Sequence, residues 1–505
     1  MLISILDYLK VSSINYPMKT AVREEENMIT YSELEKRSRS IGTLLIKYDC
    51  YKQPVGVYME KGILAVCSFL GIVSAGGFYC MLNTELPSTR LVQIQSVLQA
   101  RLIITTTELK EKAEQIFAGC IICTAEELQN TPIDSSALSQ IRNRMIDTDP
   151  LYINFTSGST GVPKGIVVSH KSVLDFIDHF TGIFEINSAD IVANQAPFDF
   201  DVSVKDIYSC LRTGATLLIV PKRLFSSPTE LLDYICDNKV TVMIWAVSAL
   251  CLISTFHALE YKTPKTVRKI LFSGEVMPYK HLCCWMKSLP NTVYVNLYGP
   301  TEITCNCTYH ILDKNRDYSS GIPIGKPFPN EDVFLLDGNN SKIVDPDTVG
   351  KIVVRGTALA LGYYRLEENN KQSFVQNPLN NAYPERIYLT GDLGKYDENG
   401  DLVFTGRIDN QIKYLGHRIE LEEVEKAMSQ MDGVDRCFCS FEDGKLRGYY
   451  VGTVEKTALR SCMKETLPAF MIPGYIRKLD TMPMTKNGKI DRKRVILEAK
   501  GEKQG

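Results

Sequence analysis

The sequence has no long basic run. Its 57 Lys and Arg are balanced by 59 Asp and Glu, for a net charge of −2. That balance excludes the electrostatic footprint of a nucleic-acid binder and of a protein drawn to anionic membrane. The first residues, Met1-Leu2-Ile3-Ser4-Ile5-Leu6-Asp7, have no basic segment before the apolar one and no cleavage site, so no secretory leader is expected. The 15 cysteines form no disulfide-like framework, and Cys120 and Cys123 make a lone C-x-x-C with no second pair. The expectation is reduced thiols in a cytoplasmic protein. There is no internal repeat. One uncharged stretch, Gly62 to Leu82, is long enough to span a bilayer, but Gly76-Gly77 breaks it. It reads as a buried helix, a turn and a strand, with no membrane insertion.

What is present is ordinary globular material: 44% hydrophobic and 23% charged over 505 residues, too long for one domain. Apolar strands such as Val55–Met59, Arg101–Thr105, Val240–Trp245 and Lys269–Ser273 alternate with helical segments. This predicts an α/β fold with a parallel sheet covered by helices on both faces. Thr30 or Ser32 is placed to cap a helix running to about Tyr48, and Ser169 to cap one that begins at His170. His170 itself reads as a packed helix-start residue rather than a catalytic one.

The densest chemistry lies in Tyr152 to Gly165. A short apolar strand becomes the loop Thr156-Ser157-Gly158-Ser159-Thr160-Gly161, closed by Pro163-Lys164-Gly165. Glycines let backbone N–H groups turn toward an anion, hydroxyls add donors, and Lys164 adds a point charge. Those are the requirements of a polyphosphate. The loop is not a Walker A motif, because Lys164 stands between Pro163 and Gly165. Downstream come Phe198-Asp199-Phe200-Asp201, Gly274-Glu275-Val276-Met277-Pro278, Tyr294-Val295-Asn296-Leu297-Tyr298-Gly299-Pro300-Thr301-Glu302, Tyr388-Leu389-Thr390-Gly391-Asp392, Gly406-Arg407-Ile408-Asp409 and Asn487-Gly488-Lys489-Ile490-Asp491-Arg492.

In this order, over nearly the whole chain, these motifs resemble those of the adenylate-forming superfamily. Its members include acyl-CoA synthetases, luciferases and the adenylation domains of nonribosomal peptide synthetases. The resemblance implies a large N-terminal core over residues 1–408, with parallel-rich sheets and a small β-subdomain. A small mobile α+β part over 409–505 follows, hinged at Asp409. It implies ATP and Mg²⁺ as cofactors. Thr156 to Gly161 and Lys164 would hold the phosphates. Asn296, Tyr298 and Gly299 would surround adenine, with Tyr298 stacked on it. Thr301 would contact the α-phosphate, Glu302 would hold Mg²⁺, and Asp392 and Arg407 would hold the ribose and phosphate. Lys489 would bridge the substrate carboxylate and phosphate. The acidic stretch Gly416 to Glu425 reads as the start of an amphipathic helix with a solvated charged face.

Asp201 has two readings from its residues alone, a helix N-cap or a partner for a cation. Within the resemblance it pairs with a substrate ammonium, which implies an amino-acid substrate. The implied pocket is Asp201, Val202, Lys205, Ile244, Leu271, Ser273, Leu297, Cys305 and Asn306. The size of the chain and the strings around Asp201 and Gly274 look like those of the stand-alone D-alanine–carrier-protein ligases of teichoic acid biosynthesis, but those have cysteine where Ser273 stands and an apolar residue where Lys205 stands. The Leu271, Ser273 and Leu297 set also resembles pockets for serine. Lys205 either lines the pocket, favouring a polar or acidic side chain or a bound water over a methyl group, or snorkels out of it. No Leu-Gly-Gly-x-Ser carrier motif is present, so a phosphopantetheinylated carrier protein is expected in trans. The implied activity is that of an amino acid–carrier-protein ligase. An acyl- or aryl-CoA ligase and a nucleotide-binding pseudoenzyme are the alternatives.

Overall fold

The computed structural model describes residues 2–158, 162–484 and 490–500. By contact density the chain falls into two compact units. The first comprises Met1–Thr84, Leu98–Phe155 and Gly165–Ile408, and the second Glu85–Val97, Thr156–Lys164 and Asp409–Gly505.

The first unit contains a nine-stranded sheet whose six central strands are all parallel: Val293–Tyr298, Lys269–Ser273, Val242–Ala246, Ile191–Asn194, Thr216–Ile219 and Thr20–Glu24. Every residue of Lys269–Ser273 is buried, as expected for a parallel strand covered on both faces. The alternation of side chains sorts the strands into two cores. Ile244, Leu271, Val295 and Leu297 join one, while Met243, Trp245, Ile270, Phe272 and Tyr294 join the other. A seven-stranded sheet includes Pro54–Tyr58, Phe78–Met81, Leu102–Thr105 and Pro150–Thr156. The uncharged stretch from Gly62 resolves into the helix Ile63–Ser74, buried except at Leu64, followed by the strand Phe78–Met81. No helix among the described residues is long and apolar enough to cross a membrane. A third sheet, antiparallel throughout, is built on Glu331–Leu336, Gly350–Gly356 and Arg386–Tyr396.

Local signals act where the sequence puts them. Thr30 caps the helix Tyr31–Leu45 and forms a reciprocal capping box with Glu33, worth about 1 kcal/mol. Ser169 accepts from Ser172 N at the start of the helix His170–Ile183. His170 is fully buried there; its Nδ1 accepts from Ile5 N at 3.4 Å, and burial pushes its pKa down to about 3.

The second unit holds the helix Ser88–Leu98, the hairpin of Gln411–Tyr414 with His417–Glu420, and a three-stranded sheet with helices Leu421–Ser429, Lys456–Thr466 and Arg492–Lys500. Two expectations are corrected here. Gly416–Glu425 does not begin as a helix, because His417–Glu420 pairs in a hairpin and the helix starts at Leu421. Nor is its acidic face solvated: Glu420 and Glu423 are only 6% and 3% exposed.

Candidate active site

Four pocket positions share one face of the parallel sheet. Ile244 and Leu271 are register partners; Ser273 follows Leu271 by two residues, and Leu297 follows Val295, the partner of Leu271, by two. The helix Val202–Thr213 packs into the same core through Val204, Ile207, Tyr208 and Leu211. That packing brings Lys205 onto the face. Its side chain is completely buried; Nζ donates to Asn306 Oδ1 at 2.7 Å and to Ser273 Oγ at 3.4 Å. Lys205 therefore does not snorkel. Burial pulls its pKa below the ordinary lysine value, opposed by the charges of Cys305, Asp201 and Asp206. An ammonium has three donors, and two are taken by neutral oxygens.

Asp201 occupies the N-cap position of this helix, but its carboxylate does not cap it. The capping reading of that residue fails, because the backbone at Asp201 is already helical (φ −62°, ψ −21°). Its carbonyl instead accepts from the Cys305 thiol at 3.1 Å. Cys305 and Thr304 both have left-handed backbones, with φ of 74° and 51°. That strained pair is held by Thr304 Oγ1 donating to the Ala358 carbonyl at 2.7 Å and Cys307 N donating to the Tyr298 carbonyl at 2.8 Å. The same fold-back brings Asn306 within reach of Lys205. It also requires Gly299, since a Cβ there would lie 2.5 Å from the Asn306 Cα.

At the end of Val293–Tyr298, Asn296 Nδ2 donates to the Pro323 carbonyl at 2.9 Å, and Tyr298 Oη donates to Asp392 Oδ2 at 2.5 Å. Burial, then the Asp392 charge, hold the Tyr298 phenol well above its ordinary pKa, so it remains a donor. Asp392 and Arg407 face each other across antiparallel strands and form an ion pair, with side chains only 2% and 12% exposed. Asp392 lies within the strand Arg386–Tyr396 rather than at a strand end. Thr301 and Glu302 form the next turn. Glu302 is 1% exposed and its Oε1 accepts from Tyr363 Oη at 2.8 Å.

Three residues that sequence reasoning missed lie behind Lys205. Asp206 is fully buried; its Oδ2 accepts from Asn194 Nδ2 at 2.7 Å, while Oδ1 has no hydrogen-bond partner. Burial raises its pKa to about 7. Lys61 Nζ donates to Asn194 Oδ1 at 3.0 Å, and burial lowers its pKa to about 8. The available signal was an Asp next to a Lys in a helix of otherwise apolar spacing. Nothing local pointed to Tyr363, which lies 61 residues from Glu302.

In the second unit, Gly158 N donates to Glu423 Oε2 at 3.2 Å and Ser157 Oγ to the Arg418 carbonyl at 2.8 Å. Asp409 Oδ1 accepts from Gln411 N at 3.2 Å. Ser159, Thr160, Gly161 and Lys489 lie outside the described residues.

Residues 10–364 match the family model of the AMP-binding enzymes. The chain is 30% identical over 510 residues to surfactin synthase subunit 1 of Bacillus subtilis, covering 97% of this chain and 14% of that protein. It spans between 6% and 43% of the length of the curated relatives it matches. In fold it is similar to a holo nonribosomal peptide synthetase protein containing adenylation and PCP domains bound to a vinylsulfonamide inhibitor. There the TM-score is 0.84 at 24% identity, covering 98% of this chain and 84% of that one. It is also similar to the Bacillus subtilis o-succinylbenzoate CoA synthetase, with a TM-score of 0.81 at 19% identity over 96% of this chain and 97% of that one.

Proposed function

The chain belongs to the AMP-binding enzyme family, and from that premise we propose that it activates an amino acid on ATP and passes the aminoacyl group to a carrier-protein thiol. In the first half, the amino-acid carboxylate attacks the α-phosphorus, a P–O bond forms, and pyrophosphate leaves. No protein nucleophile is needed; the chain's part is alignment and neutralisation of charge. Asp201 pairs with the substrate ammonium, and Tyr298 and Asn296 hold the base. Asp392, fixed by Arg407 and Tyr298, accepts from the ribose hydroxyls. Thr301 contacts the α-phosphate, and Lys164 and Lys489 offset repulsion between the two anions. A hard carboxylate oxygen on Glu302 suits Mg²⁺, and no group of three or more His, Cys, Asp or Glu side chains is arranged for a metal among the described residues. Glu302 would hold the ion, whose charge would offset that of the phosphates. In the second half, a phosphopantetheine thiol displaces AMP. The likeness to a protein that contains adenylation and PCP domains supports that acceptor.

The observation that carries the amino-acid assignment is Asp201, a carboxylate at a helix start that does not cap its helix. Lys205 deepens it. A buried ammonium held by two neutral oxygens favours an anionic or strongly polar substrate side chain over a methyl group. That weighs against D-alanine. Asp201 weighs against a simple acyl or aryl acid as substrate, the chemistry of a CoA ligase. The intact set Lys164, Glu302, Asp392 and Lys489 weighs against a pseudoenzyme.

Pyrophosphate exchange with all D- and L-amino acids and a panel of carboxylic acids tests the reading. Amino acids with acidic side chains are expected to support the fastest exchange. Faster exchange with alanine would overturn the assignment of Lys205, and faster exchange with acids lacking an amine would overturn that of Asp201. Lys489→Ala is expected to cripple adenylation while sparing thiolation from preformed adenylate.

A further inference from the structure

Asp201 stands at the start of a helix without capping it, and other groups serve that helix start in its place. The first N–H groups of a helix have no partner within it, and a capping side chain would take those two or three residues on. Here they are already used: Ser203 N donates to the Phe200 carbonyl at 3.1 Å, and Val204 N donates to the Asp201 carbonyl at 3.0 Å. The N–H of Asp201 itself is met from another element. With its amide oriented to satisfy both partners, Asn154 accepts from Asp201 N at 3.2 Å and donates to the Ile153 carbonyl at 3.3 Å. Asn154 lies in the strand Pro150–Thr156 of the seven-stranded sheet. On the other side, the Asp201 carbonyl accepts from the Cys305 thiol at 3.1 Å, its second lone pair being available beside the bond from Val204. Asn154 and Cys305 are both buried. Two side chains remote in sequence thus grip the backbone of Asp201, one at its N–H and one at its carbonyl.

Resting on the reading of Asp201 as the partner of the substrate ammonium, we propose that Asn154 and Cys305 are positioning residues for the substrate amine, which fix the Asp201 backbone from both sides and so aim its carboxylate at the ammonium. Each acts through Asp201. A carboxylate one bond from its Cα follows the backbone closely, so two directional hydrogen bonds on that backbone set where the oxygens lie. An error on the order of an ångström in such a group is costly. Cys305 ties in the far end of the pocket as well. It stands in the same left-handed turn as Thr304, and the next residue, Asn306, accepts from Lys205 Nζ. One turn therefore sets the amine end and the side-chain end of the pocket relative to each other.

The test is pyrophosphate exchange by the full chain with pairs of acids that differ only in the amine: glutamate and glutarate, serine and 3-hydroxypropanoate, alanine and propanoate. The variants are Asn154→Leu, Cys305→Ala and Cys305→Ser, with Asp201→Asn as the benchmark for losing the ammonium's partner. Asn154→Leu and Cys305→Ala are expected to narrow the preference for the amine-bearing acid about threefold to tenfold. The loss should appear in the KM for the amino acid, with the KM for ATP unchanged. Cys305→Ser keeps a donor and is expected to stay within twofold of wild type. Where Asn154→Leu does not fold, the contrast between alanine and serine at position 305 decides. A wild type that prefers the amine, with folded variants that lose activity equally on both members of a pair, overturns the positioning role alone. A wild type that uses both members of every pair equally overturns the reading of Asp201 and the positioning role together.

Discussion

Two polar corners of the first unit handle buried charge in opposite ways. Around Asp392 the protein supplies its own counter-ion: Arg407 pairs with one oxygen and Tyr298 donates to the other. Around Lys205 no carboxylate is hydrogen-bonded to the ammonium; Asn306 and Ser273 solvate it with neutral oxygens. A neutralised carboxylate suits neutral ligand groups such as ribose hydroxyls. A buried cation whose hydrogen bonds go to neutral oxygens, with the charges of Asp201 and Asp206 acting on it through space, can still take an anion as a direct partner. The first corner is neutralised by a direct ion pair, and the second by neutral hydrogen-bond partners and charges at a distance.

The most damaging way to break the nucleotide corner is Glu302→Gln. If Glu302 holds Mg²⁺ as proposed, the change is expected to lower kcat for pyrophosphate exchange about 10²- to 10³-fold, with thermal stability near wild type. Asp392→Asn removes the carboxylate that neutralises the buried Arg407. It is expected to lower kcat/KM for ATP about 10²-fold, with the KM for the amino acid unchanged. An equal rise in both KM values would mean that the two corners are not separable. Lys205→Met sharpens the other side. It is expected to cost about 30-fold in kcat/KM for an acidic amino acid, while improving neutral substrates and leaving the KM for ATP alone. A uniform loss over all substrates would reduce Lys205 to a structural role.

The smallest effect concerns pH. Burial raises the Asp206 pKa from 3.8 to about 7, so the folded state holds a proton that the unfolded state gives up. Its stabilising share is therefore complete below about pH 4 and is lost as pH rises through about 7. Asp206→Asn keeps an acceptor for Asn194 and removes that proton. The Asn variant is expected to flatten the decline by on the order of 1 kcal/mol, read from melting temperatures between pH 4 and pH 8. An unchanged slope would assign the titration to another group.

The parallel strands and the first helix caps were legible because their signals are local. Lys269–Ser273 is apolar enough to be buried on both faces, and Thr30 and Ser169 cap as their positions suggest. The acidic helix was misread because the number of charges on a helix does not reveal its neighbours. Glu423 is buried where Arg90, 333 residues away in sequence, comes to meet it. The fate of Lys205 was open for the same kind of reason, since a lysine's long stem permits both burial and escape.

By itself, the sequence determined the order of the motifs, and hence the family, and the kinds of atom available to a nucleotide and an amine. Hydroxyls, glycines and carboxylates declare their chemistry in one dimension. Only the tertiary structure decided which charges are already spent on the protein and which remain for a ligand. That depends on partners brought together by folding: Arg407 for Asp392, Asn306 for Lys205, Arg90 for Glu423.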